Sequence, residues 1–283
     1  MTIHYKLYKT RFSFFILNVF SYFLTKLNIS FSIVNSVSIS DNLNKNIIYI
    51  IPFCHTIKYL PNNYICYQLE QVGISKCFTT EYLVKILNSI KCWDYSQANI
   101  NRFQNTIQSK TIYFPIPLCI LSDKTIPTPV DILFYGLENK RRTDIMNYLI
   151  NKYKNKYNII YPKNVYNEPL FKFIEQSKII INLNYYHNAN VATYRINESL
   201  SYCKPIISEI GHPQDIQNEQ FYNNAVIFIE PIKKNLENIQ ILCNYLEYFL
   251  DNPDIYSNKQ TNIKTFIKNK ENYFIEQFQQ HLN

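Results

Sequence analysis

A chain of 283 residues has room for two ordinary domains or one large one. Its 47% apolar content fills a sizeable core and excludes an intrinsically disordered chain. The net charge of +8 is spread along the sequence with no Lys/Arg stripe, which favours a basic solvated surface or an anionic small substrate over a nucleic-acid partner.

Asn, Ile, Lys and Tyr crowd every segment, a pattern that nucleotide bias produces, so single residues of these types carry little functional weight. Only three glycines occur, Gly73, Gly136 and Gly211. A glycine retained in such a background is expected to serve its backbone, through positive φ or close approach. The seven cysteines form no CxxC and several sit inside apolar runs, which predicts buried, reduced thiols in an intracellular, cytoplasmic protein. The five histidines show no metal-ligand spacing, and no metal site is expected.

The first apolar run, 12–24 (FSFFILNVFSYFL), follows Lys6, Lys9 and Arg11 and has the look of a signal segment. It is too short to span a bilayer and no small-residue cleavage site follows, so a buried helix over 11–27 is favoured. Strands are expected at 31–37, 46–51, 64–68, 90–93 and 111–114, with helices at 79–89 and 96–108. The stretch 115–129 holds four of the twelve prolines and reads as a linker. A second series then begins. Strands are expected at 130–135, 157–161, 178–183, 205–208 and 225–229. Helices are expected at 140–153, 167–176, 191–203, 233–250 and through 253–283. Alternating strands and helices predict parallel sheets with right-handed crossovers, hence two Rossmann-like α/β domains, 1–120 and 130–283, with their sheets facing a cleft.

Ligands of open parallel sheets bind at the carboxyl ends of strands, beside helix N-termini. Two places in the second series suit an anion. In Phe134–Arg142 a strand ends at Gly136 and a helix opens on basic residues, including Arg141 and Arg142. Cations there oppose the helix dipole unless an anion sits among them. The second place runs from Asn184 and Tyr185 to a helix carrying Arg195 and Glu198, three apart and so on one face. Arg195 could take a diphosphate and Glu198 the hydroxyls of a ribose. The alternative is a surface ion pair worth a few tenths of a kcal/mol.

The segment Lys178–Glu209 resembles the donor-binding core of GT-B glycosyltransferases with a "glycosyl transferases group 1" C-terminal domain. The resemblance rests on Asn182, on Glu198-Ser199-Leu200 in an "ESL" setting, and on Lys204-Pro205-Ile206-Ile207-Ser208-Glu209. In the first half, Tyr67–Gln71 and Trp93–Asn99 are similar to "Y-x-x-E-Q" and "W-D-Y-S-x-x-N" segments of some bacterial and viral relatives. Two departures stand out. Asn190 occupies the first position of the family's E-x7-E, and Cys203-Lys204 replaces a Gly-containing pair, so retaining or inverting stereochemistry stays open.

The resemblance implies a hexosyltransferase-type enzyme that takes a nucleotide-sugar donor and needs no cofactor, acting on a glycan, lipid or protein acceptor. It implies no nucleic-acid partner and leaves peripheral membrane contact open. Donor contacts are expected from Gly136, Arg141, Arg142, Asn184, Tyr185, Arg195 and Glu198. An inverting transfer needs a base in the first domain, and the candidates are Glu70, His55 and Asp94. Glu70 ranks first because it stands just past the buried strand YICYQ. Its alternative role is to cap the turn at Gly73, that of Asp94 is an N-cap, and His55 could contact donor phosphate. The competing readings are a non-catalytic binding module on the same fold and a nucleic-acid-binding protein.

Overall fold

In a computed structural model, which describes residues 3–124 and 126–282, the chain forms two compact units. One runs from the N-terminus to Pro117 and is joined by the chain from Asn272 onward; the other is Leu118–Glu271. The break falls inside the proline-rich stretch, whose Thr125 lies outside the described residues. The expected second domain ran unbroken to residue 283, also outside the described residues.

The first unit contains β1 (His4–Tyr8), α1 (Phe14–Lys26), β2 (Phe31–Val34), β3 (Ile47–Pro52), β4 (Tyr64–Gln68), α2 (Thr80–Asn88), β5 (Lys91–Asp94), α3 (Gln97–Arg102), α4 (Asn105–Gln108) and β6 (Thr111–Tyr113). Its six strands are all parallel, in the order β2-β1-β3-β4-β5-β6. β1 was not anticipated. Its sequence HYKLY alternates half-buried and buried positions and carries a lysine, so it lacks the continuous apolar run of the other inner strands. The expected helix 96–108 is two helices, because the chain turns extended at Phe103, which is buried.

The apolar run near the N-terminus is the buried helix α1, which packs Phe15, Ile16, Val19, Phe20 and Phe23 into the core. Phe20 stands edge-on to Phe278 at 5.0 Å and stacks with Tyr67 at 5.7 Å, while Trp93 stacks on Phe114 at 4.4 Å. Each such ring contributes roughly 1.5–3 kcal/mol by burial. Among the described residues no helix is long and apolar enough to cross a membrane. All seven cysteines are free, six of them buried and Cys77 partly so.

The second unit contains β7 (Val130–Phe134), α5 (Lys140–Tyr153), β8 (Ile159–Ile160), α6 (Asn167–Gln176), β9 (Ser177–Asn182), α7 (Thr193–Ser201), β10 (Ile206–Glu209), α8 (Ile216–Tyr222), β11 (Ile227–Ile229), α9 (Ile239–Leu250) and α10 (Pro253–Leu282), the last continuing into the first unit. Its five strands are parallel, in the order β11-β10-β9-β7-β8. Strands β9 and β10 are buried throughout except for Lys178, as expected of a sheet covered on both faces. The expected helix 233–250 starts only at Ile239, and α8 had no strong signal in its polar sequence IQNEQFY.

Both sheets place their first strand between the second and the third. The direction of winding reverses there, which opens a crevice at the strands' carboxyl ends. In the second unit that point lies between β7 and β9.

Candidate functional site

A cleft of about 880 Å³ opens at this switch point. Its walls come from four loops, after β7 (Asn139), after β9 (Asn184, Tyr185), after β10 (Gly211, His212) and after β11 (Ile232, Lys233). Lys140, Lys233 and Lys234 line it with His187 and His212, against the single acid Glu230. This lining suits an anion.

Glu209 holds three of these walls together. It ends β10 fully buried, and its carboxylate accepts from the backbone N–H of Asn184 at 2.5 Å and of Ile232 at 2.8 Å. Arg141 meets it with both Nη atoms, at 2.5 and 2.8 Å, and also donates to the carbonyls of Asn184 and Ile232. A bidentate pair with every lone pair in use fixes the loops after β9 and β11 to the start of α5.

Arg142 is equally committed. It is buried and donates to the carbonyl oxygens of Leu137, at 2.7 Å, and Leu183. Its guanidinium lies over the Tyr185 ring at 5.1 Å. Burial, then the nearby Arg195, pulls its pKa down to about 9. Both arginines expected to contact an anion thus hydrogen-bond within the walls of the site, and Arg141 also lines the cleft. Asn139 caps α5 through its side chain, 2.9 Å from the Arg142 N–H.

Arg195 and Glu198 lie on α7, whose buried face carries Ile196, Asn197, Ser199 and Leu200. No ion pair joins them, so the surface salt bridge is not what this spacing builds. Arg195 donates to the side-chain oxygen of Asn182 at the end of β9 and lies over the Tyr135 ring at 5.5 Å. Glu198 accepts from the Tyr135 hydroxyl at 2.8 Å. Burial raises the Glu198 pKa to about 7, against the opposing pull of that hydrogen bond and of Arg195.

Gly136 supplies the space for this arrangement. Its φ is +131°, and a Cβ there would lie 2.8 Å from Nη2 of Arg195. Gly136→Ala is expected to displace the guanidinium and to cost about 1–3 kcal/mol of backbone strain. A denaturant titration with an unmoved midpoint would show that the position tolerates a side chain. Gly211 answers to a close approach instead, since a Cβ would meet the Val191 backbone nitrogen at 2.6 Å.

In the first unit, Asp94 is fully buried. Its oxygens accept from the Gln68 side chain at 2.6 Å, the Ser96 N–H at 2.8 Å and the Asn99 side chain at 3.1 Å. That set builds the turn into α3. Glu70 is partly exposed, accepts from the Ser75 hydroxyl at 2.8 Å and faces Nε2 of His55 at 3.8 Å. Burial raises the Glu70 pKa and lowers that of His55.

No family model matches the sequence, and neither does any curated protein. Solved structures do match in shape. The chain is similar to HepE of Anabaena in complex with UDP-glucose, with a TM-score of 0.62 over 99% of both chains at 8% identity. It is similar to an alpha-glucosyltransferase in complex with UDP and a DNA 13-mer, with a TM-score of 0.62 over 99% of both chains at 10% identity. It is similar to WaaG, a glycosyltransferase involved in lipopolysaccharide biosynthesis, with a TM-score of 0.52 over 95% and 96% of the chains at 10% identity. The fold is GT-B.

Within this GT-B fold, the structure brings Gly136, Arg195 and Glu198 together around Tyr135, and Arg141 with Asn184 around Glu209. It places Tyr185 on the wall of the cleft. The cleft is also lined by residues 210–213 and 230–235, which sequence reasoning missed. Pro213 and Pro231 and the scarce Gly211 are the only local signals there. Cys203, just after α7, adopts a left-handed backbone at φ +55°, the conformation a glycine takes most readily.

Proposed function

We propose that this protein is a glycosyltransferase of hexosyltransferase type, which binds a nucleotide sugar in the cleft of its second unit and passes the sugar to an acceptor. The observation that carries the reading is the basic cleft at the β7/β9 switch point. The HepE structures, of the same fold, hold UDP or UDP-glucose, which supports a nucleotide-sugar partner. Lysines and helix N-termini stabilise a departing diphosphate without a metal in this reading. A nucleotide-sugar donor and seven unpaired thiols support a cytoplasmic site of action. The acceptor class is a glycan, a lipid or a protein.

A thermal-shift screen against UDP-, GDP-, ADP- and CMP-sugars tests donor binding. One of them at a hundred times its Kd is expected to stabilise the protein by about 2.7 kcal/mol through linkage. No shift with any of the four would remove the proposal. Transfer in the presence of a chelator separates an enzyme from a binding module. There, Glu70→Gln is expected to keep donor binding and lose about 10²-fold or more in transfer, the scale of a general base. Full transfer in that variant would move the search to His55.

A further inference from the structure

His55, Glu70 and Cys77 come from two loops at the carboxyl edge of the first sheet. His55 follows β3, and the other two follow β4. One ligand atom from each lies within 4.8 Å of the others. They are 15 and 7 residues apart, so no spacing in the sequence joins them. We propose that these three side chains bind a divalent transition-metal ion of the zinc type, with one coordination position left open.

The donor set matches the cation. Imidazole nitrogen, carboxylate oxygen and thiolate sulfur are the three ligand types zinc takes, at about 2.0–2.3 Å. A tetrahedral ion at those lengths spaces its ligand atoms by roughly 3.5 Å. The cluster therefore needs to contract by only about 1 Å, within the reach of side-chain rotation. Three protein ligands with an open fourth position is the arrangement of sites that also bind water or substrate.

The surroundings are those of a site held ready. Nδ1 of His55 is buried with no hydrogen-bond partner, and Nε2 faces Oε1 of Glu70 without reaching hydrogen-bond distance. An imidazole buried with its capacity unused is costly unless something else takes it up. Ser75 orders the other two ligands. Its hydroxyl donates to Oε2 of Glu70 at 2.8 Å, leaving Oε1 free towards His55, and it accepts from the Cys77 N–H at 3.3 Å. Such outer contacts fix ligand orientation. The turn that presents His55 begins at Phe53 with φ +56°, a backbone an aromatic residue adopts only under constraint. Metal binding would release the Cys77 proton, and it would occupy the carboxylate that the proposed transfer uses as a base, so cation and acceptor compete for Glu70.

Cobalt(II) is the probe, added to the reduced full-length protein. One equivalent is expected to give visible d–d bands of tetrahedral intensity and a thiolate-to-cobalt charge-transfer band, both displaced by zinc. Cys77→Ser is expected to lose the charge-transfer band, and His55→Gln to weaken cobalt binding by about tenfold or more. Circular dichroism checks that both variants fold, and Cys119→Ser, outside the cluster, is expected to retain both bands. Absence of a band in the wild type, or a charge-transfer band that survives Cys77→Ser, overturns the site. Neither result bears on donor binding by the second unit, so failure here is distinguishable from failure of the transferase reading.

Discussion

Replacing Glu209 by alanine is expected to destabilise the second unit by about 3–5 kcal/mol, the scale for breaking a buried ion pair from one side. The carboxylate is fully buried and accepts from four donors, two on Arg141 and the backbone N–H groups of Asn184 and Ile232. Alanine leaves the guanidinium without its counter-charge and two N–H groups without an acceptor. In a unit of this size the thermal midpoint should fall by about 10 °C or more. Glu209→Gln keeps an acceptor oxygen and should lose less. Differential scanning calorimetry on the two variants decides the matter. If alanine costs under about 1 kcal/mol, Glu209 is not what holds the walls of the cleft together.

The second large effect belongs to Glu198 and depends on pH. Burial raises its pKa to about 7, whereas an unfolded glutamate titrates near its ordinary value of 4.5. The folded protein thus holds the proton more tightly than the unfolded chain. The stabilisation this gives is complete below pH about 4.5 and is lost as pH rises through about 7. At about 1.4 kcal/mol per pH unit, the loss reaches about 3 kcal/mol. Glu198→Gln removes it, so the stability difference between variant and wild type should grow from pH 4.5 to pH 7 and then level. Donor binding should respond in the opposite sense. In the proposed donor contact the ionised form of Glu198 is the acceptor for the ribose hydroxyls, so wild-type affinity is expected to rise as pH passes about 7. The variant should bind more weakly by about 1.5–3 kcal/mol, with little dependence on pH. Calorimetric titration at pH 6 and 8 checks both arms. A variant that binds like the wild type at pH 8 would leave Glu198 a core residue with no ligand to hold.

Much of this was legible in the sequence, for a physical reason. Inner strands of a parallel sheet are buried on both faces and read as continuous apolar runs, as in SKIIIN and IIYIIP. β1 broke that rule and escaped notice. The spacing of Arg195 and Glu198 was readable because helix geometry makes three residues apart a shared face. Their partners were not. Nothing near Arg195 in sequence points to Asn182 or to the ring of Tyr135, which lies 60 positions earlier. The partners of Arg141 and Arg142 were hidden for the same reason. Arg141 meets Glu209, 68 residues on, and Arg142 meets the carbonyls of Leu137 and Leu183. Neighbours in the chain show what a residue could do, and neighbours in space decide how much of that capacity is left.

The helix α10 spans the division between the units, and its last turns complete the core of the first. Phe274 and Phe278 pack against Phe23, the carbonyl of Leu282 accepts from the Tyr5 hydroxyl, and Lys91 donates to the carbonyl of His281. On the ribosome this inverts the usual order. The N-terminal unit is synthesised first, but it lacks part of its core until residues 272–282 emerge, after the whole of the second unit. At translation rates of about 5–20 residues per second, the wait is on the order of 10–30 s. The second unit, contiguous in sequence, can close while the nascent first sheet still shows apolar surface between Phe20, Trp93 and Phe114. That interval is the vulnerable stage in the life of the chain, and the stage at which a chaperone would be drawn to it.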